Sequence, residues 1–152
     1  MTSLLQKIND LDLRIDNITK QVCFIVSRGG ATVVNTNTIL PYNIIFENTG
    51  GGFDSSTYTF TCPIAGRYIF SVGFYTNGNN IYAVEIKING VSHDKHERSG
   101  TGTGNNQKKY MVVIAVLNVG VNVGDTVYPE CTFGSVRLFA QNITRFYGCL
   151  LE

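Results

Sequence analysis

From Val22 to Glu152 the chain never repeats with the period of a helix. Short β-branched and aromatic runs alternate with Gly, Asn and Thr instead. Candidate strands are Val22–Ser27, Tyr42–Phe46, Tyr58–Thr61, Arg67–Tyr75, Ile81–Asn89, Lys109–Leu117, Thr126–Cys131, Val136–Phe139 and Ile143–Leu151. Between them stand Asn77-Gly78-Asn79-Asn80, Asn89-Gly90 and Gly124-Asp125, turn signals because Gly and Asn accept positive φ. Many short strands separated by such turns predict an all-β antiparallel sandwich or barrel. Pro129 falls inside a candidate strand, and its missing N–H predicts an edge position.

A sheet with one wet face alternates apolar and polar residues. The first and last strands do not. Phe24 and Val26 share one side of the first strand, and Cys23 and Ile25 the other. In the last strand Phe146 and Leu150 oppose Tyr147, Cys149 and Leu151. Both faces are apolar, so the second face is expected to meet another subunit through Ile25, Tyr147, Cys149 and Leu151.

Residues before Val22 follow a different rule. Leu4, Ile8, Leu11, Ile15, Ile18 and Val22 recur in alternating steps of four and three. That is a heptad seam with Ile8, Ile15 and Val22 at a and Leu4, Leu11 and Ile18 at d. The chain therefore divides into residues 1–21, a short coiled-coil stalk, and residues 22–152, a β head. So short a helix is marginal alone in water. It either folds against its own domain or joins copies of itself. Arg14-Ile15-x-x-Ile18 is similar to a trimer-favouring motif, with Thr19 where that motif has Glu. Ile at a with Leu at d leans instead towards two strands.

Composition narrows the function. A net charge of +1 excludes the basic footprint of a nucleic-acid binder. The longest apolar run, Met111–Leu117, is too short to span a bilayer, so no membrane insertion is expected. Charged residues make up only 15%, and 15 Asn, 15 Thr and 16 Gly dress the surface in their place. Lys7, Asp10, Asp12, Arg14, Asp16 and Lys20 interrupt the first twenty residues, so that segment is not a signal peptide. The expected routes outward are a removed leader or carriage in a virus particle. Cys23, Cys62, Cys131 and Cys149 are scattered without the close pairs of a zinc site. They are read as small buried hydrophobes, with room for one disulfide whose partners spacing does not fix. Asn17 and Asn142 begin N-glycosylation triplets.

Tyr42, Asn48, Phe53, Phe60 and Gly66-x-Tyr68-x-Phe70 form a spaced set that resembles the pattern of the C1q-like globular head, a jelly roll related to the tumour necrosis factor fold. Ile88-Asn89-Gly90, Gly124-Asp125-Thr126-Val127 and Phe146-Tyr147-Gly148-Cys149-Leu150-Leu151 extend the resemblance over residues 22–151. Val72 stands where the family carries an aromatic residue, and no Trp follows Gly124-Asp125; both mark a distant relative. The resemblance implies about ten strands in two sheets, and a homotrimer packed through the sheet that holds the terminal strands. It also implies a non-enzymatic recognition role, with a trimerising stalk ahead of the head; together with the routes outward named above, the expected location is extracellular or at a virion or cell surface. Some members bind calcium through acidic apical loops. The corresponding loops, Asn77–Asn80 and Asn118–Asn122, carry no carboxylate, so no calcium and no other cofactor is expected.

The only histidines lie in His93-Asp94-Lys95-His96-Glu97. Two imidazoles beside two carboxylates suit a weak metal or pH-sensing site, but the segment reads as a solvated loop running on into Ser99–Gly104. Gly100–Gly104 has no helix behind it to cradle a phosphate, and no spacing suggests a catalytic triad. Two functional classes remain: a trimeric head binding protein or glycan ligands with avidity, or the structural head of a virus fibre or microbial coat.

Overall fold

The computed structural model describes residues 2–19, 21–77, 80–98, 109–139 and 144–151. One helix, α1 (Thr2–Thr19), precedes thirteen strands. Seven form the first sheet: β1 (Cys23–Ser27), β2 (Thr32–Val34), β4 (Ile44–Thr49), β7 (Gly66–Asn77), β10 (Lys109–Val121), β12 (Val136–Leu138) and β13 (Arg145–Leu150). Six form the second: β3 (Thr38–Ile39), β5 (Phe53–Asp54), β6 (Thr59–Thr61), β8 (Tyr82–Ile88), β9 (Val91–Arg98) and β11 (Thr126–Gly134). Every pairing is antiparallel. The first sheet runs β2-β12-β7-β13-β1-β4 with β10 on the free side of β7, and the second runs β5-β6-β11-β8-β9. The result is the jelly-roll sandwich that the family resemblance implies.

The core is aromatic. Phe24 lies 4.7 Å from Phe60 and 4.8 Å from Phe146 between ring centroids, with Phe53 and Phe70 close by. Alternation puts Phe24, Phe70 and Phe146 on the inner face of the first sheet, where they meet Phe53 and Phe60 of the second. Burying such a ring stabilises the fold by about 1.5–3 kcal/mol. Gly148 makes room for this stack: a Cβ there would come within 2.5 Å of Phe70 and 2.6 Å of Phe24.

The spaced aromatic and Asn positions now have physical roles. Asn48 donates its amide to the Phe53 carbonyl (2.9 Å) and accepts from the Phe53 N–H (3.0 Å). It thus closes the turn through Gly50 and Gly51, both at positive φ. The buried Tyr42 donates its hydroxyl to the Gly73 carbonyl, and Tyr68 donates to Ile64. Gly66 opens β7 opposite Val121, the last residue of β10.

Several expectations need correction. Val22, placed at an a position of the stalk, is buried in the sandwich core, because the helix ends at Thr19. Pro129 is not on an edge strand: β11 pairs with β8 on one side and with β6 and β3 on the other. The Pro129 carbonyl accepts from Leu40 N–H, so its ring nitrogen also faces that side, in the gap between β6 and β3, and costs the β8 ladder nothing. Residues 91–98 are strand β9 and not a loop; a charged sequence is what an edge strand tolerates. Asn118–Val121 continues β10 past a bulge between Val116 and Val119. Asn118 there has φ of 59° and is held by the Arg67 guanidinium. This segment lies at the helix-proximal end, opposite the end where Asn77 leads towards β8. The two are not neighbouring apical loops.

Candidate functional site

The outer face of the first sheet gathers the apolar residues that the core does not use. Register aligns Ile25, Tyr147, Ser71 and Ala115 in one row across β1, β13, β7 and β10, with Gly73 beside Val113 in the next. Small residues flanked by large ones leave a hollow. It has a volume of about 550 Å³ and is lined by Ile25, Ser71, Gly73, Met111, Val113, Arg145, Tyr147 and Cys149. Of the four residues expected at a subunit contact, Ile25, Tyr147 and Cys149 meet here half-buried, while Leu151 is 51% exposed just outside. Sequence reasoning missed Ser71, Gly73, Met111, Val113 and Arg145. For Met111 and Val113 the signal was present, since Met111–Leu117 is apolar on both faces like the terminal strands; Ser71 and Gly73 carry no such signal.

Cys149 is bonded to Cys23, its direct cross-strand partner. Cys62 and Cys131 are buried free thiols, and burial pushes the Cys131 thiol up. Phe46, half exposed on the edge strand β4, lies 5.3 Å beneath the Arg145 guanidinium. Around the hollow the first sheet is poor in acid: its seven strands hold Arg67, Lys109, Arg137 and Arg145 but only one carboxylate, Glu47.

In the helix, Leu4, Ile8 and Leu11 are all exposed. Ile15 and Ile18 complete the seam in sequence, but their side chains lie outside the described residues. So do Asn142 and the run from Ser99 to Gly104.

The histidines take separate environments. His96 sits opposite Val84, stacks on Tyr82 with centroids 5.7 Å apart, and its Nδ1 is hydrogen-bonded to the Tyr82 hydroxyl at 2.8 Å. His93 is exposed on the same strand. Among the described residues no three His, Cys, Asp or Glu side chains gather as a metal site would require, and no helix is long and apolar enough to cross a membrane.

Known structures share this architecture. The globular domain of the zebrafish complement 1qA protein aligns with a TM-score of 0.63 at 18% identity, covering 86% of this chain and 98% of that one. Eiger TNF from S. frugiperda aligns with a TM-score of 0.65 at 14% identity, covering 87% and 92%. Murine APRIL gives 0.61 at 11%, covering 87% and 100%. Identities this low speak to the fold alone. The sequence itself matches the pattern of the C1q domain over residues 23–151. That stretch runs from the disulfide-bonded Cys23 to the end of the described chain, and by it this protein belongs to the C1q domain family.

Proposed function

We propose that this chain is a homotrimeric recognition head on a short helical stalk, binding an extracellular protein or glycan. C1q and tumour necrosis factor-like domains are in general trimeric, non-enzymatic binding modules, secreted or displayed at a surface. What supports the reading in this chain is one observation: an apolar hollow on the outer face of the sheet that holds both terminal strands. Such a face left in water is costly, and three copies arranged about an axis cover it. The exposed seam of Leu4, Ile8 and Leu11 adds a second self-contact at the same end of the chain. A Cys23–Cys149 disulfide fits an oxidising compartment. Three heads on one stalk bind repeated ligands with avidity well above that of one site.

Light scattering tests the assembly. Tyr147→Asp places a charge in the contact and is expected to give monomers or aggregates. Ile15→Asp with Ile18→Asp is expected to weaken assembly and leave the head folded. A Tyr147→Asp protein of unchanged oligomeric mass would overturn the assignment of that face.

A further inference from the structure

We infer that the Cys23–Cys149 disulfide is a tension-bearing clasp, which carries a pull on the stalk into the middle of the first sheet. The inference rests on reading the chain as a recognition head held by a stalk. It names what keeps that head folded when a bound ligand pulls against its anchor.

The covalent path is short. Helix α1 ends at Thr19 and β1 begins at Cys23, so tension arriving from the helix enters the head at the first residue of its first strand. By itself β1 is a poor anchor. It runs only from Cys23 to Ser27, and on the side away from β13 it has β4, with no strand beyond β4 among the described residues. A strand peeled from its end loses its ladder bonds one pair after another, so each pair resists alone.

The disulfide changes where the force goes. Cys149 lies directly opposite Cys23, so the load crosses to β13 at the same level at which it enters. β13 pairs with β7 from Phe146–Val72 to Leu150–Tyr68. β7 in turn pairs with β10 from Gly66 to Asn77 and with β12 at Tyr75. Two backbone bonds stitch the same end: Leu150 N–H donates to the Val22 carbonyl and Leu151 N–H to the Arg67 carbonyl. A pull at the clasp must therefore strip β1 from β4 and β13 from β7 together. It must also draw out both Phe24 and Phe146, whose rings pack edge to face in the core.

Placement in the chain adds a second effect. The cysteines stand 126 positions apart and enclose β1 to β12 and nearly all of β13. Tension between the helix and any point beyond Cys149 passes through the two sulfurs and leaves the enclosed residues out of its path. A bond between two inner strands could stabilise the fold as much, yet would leave both terminal strands open to peeling. Position, more than the presence of a cross-link, makes this one a clasp.

The test is single-molecule force spectroscopy on the full chain, in two pulling geometries. With handles at the two termini, the oxidised parent is expected to lengthen only outside the enclosed loop. In dithiothreitol, or in Cys23→Ser with Cys149→Ser, a further step of about 430 Å is expected as 126 residues extend. That step in the oxidised parent overturns the inference. The second geometry pulls the N-terminus against a handle at Phe133, which is exposed on β11 of the second sheet. Here the head lies in the path with or without the bond. Its lifetime at constant force is expected to fall about tenfold or more once the bond is opened. A cross-link that acts only by constraining the unfolded chain would leave that lifetime unchanged, and an unchanged lifetime overturns the inference. Should the serine pair fail to fold, the reduced parent supplies the same comparison. Light scattering separates the two readings. A trimer whose heads yield equally with and without the bond refutes the clasp alone, and a monomer that shows the clasp refutes the trimer alone.

Discussion

Cys23 and Cys149 lie directly opposite each other on β1 and β13, their Cα atoms 4.1 Å apart, joined by a disulfide although 126 positions separate them in sequence. Val22 accepts a backbone hydrogen bond from Leu150 just beside them, so the two cysteines form the close, non-hydrogen-bonded pair of an antiparallel ladder. The bond clasps the two ends of the head together, in the face proposed to meet other subunits.

Removing that clasp frees the unfolded chain. Cys23→Ser with Cys149→Ser is expected to lose about 3–5 kcal/mol of stability, the cost of reopening so long a loop. Urea unfolding of the variant, beside the parent with and without reductant, measures it. A loss below about 1 kcal/mol would show that strand pairing alone fixes the termini.

Asn48→Ala removes both bonds to Phe53 and leaves a part-buried N–H and C=O without partners. The expected loss is about 2 kcal/mol. Asn48→Asp is expected to do no better, because its carboxylate keeps the Phe53 N–H but opposes the Phe53 carbonyl. Thermal unfolding of the two variants side by side decides this.

Gly148→Val drives a side chain into Phe24 and Phe70, whose rings already leave no room for a Cβ. Overpacking of this kind costs about 3 kcal/mol or more. A well-folded variant with an unchanged urea midpoint would mean that the aromatic stack can shift, contrary to the packing described.

Acid should loosen the head through two turn carboxylates. Backbone and side-chain bonds from Asn122 and Asn89 hold the Asp125 carboxyl below its ordinary range, and bonds from Ser56 do the same for Asp54. A carboxyl depressed in the folded state contributes stability at pH values above its unfolded value. That contribution is lost as pH falls through the folded value. The urea midpoint is therefore expected to hold at neutral pH and to drop below about pH 4. Asp125→Asn should make that drop shallower; an identical pH profile in the variant would assign the acid response elsewhere.

Local pattern in the sequence carried the all-β class, most of the long strands, and the inward and outward faces of β1 and β13, while the anchors from Tyr42 to Phe70 were legible only through the family resemblance. Class, strands and faces follow from period-two alternation and from turn residues, which any short window contains. Contacts between distant segments were beyond such a window. Cys23 could have paired with any of three cysteines until β1 was laid against β13. Pro129 looked like an edge residue until β6 and β3 were seen to leave a gap at its nitrogen. The charged strand β9 carried no apolar alternation, and only pairing with β8 orders it. The hollow around Gly73 depends on register between strands far apart in the chain. Alternation states which way a residue points, whereas its neighbour is chosen by how the whole sandwich closes.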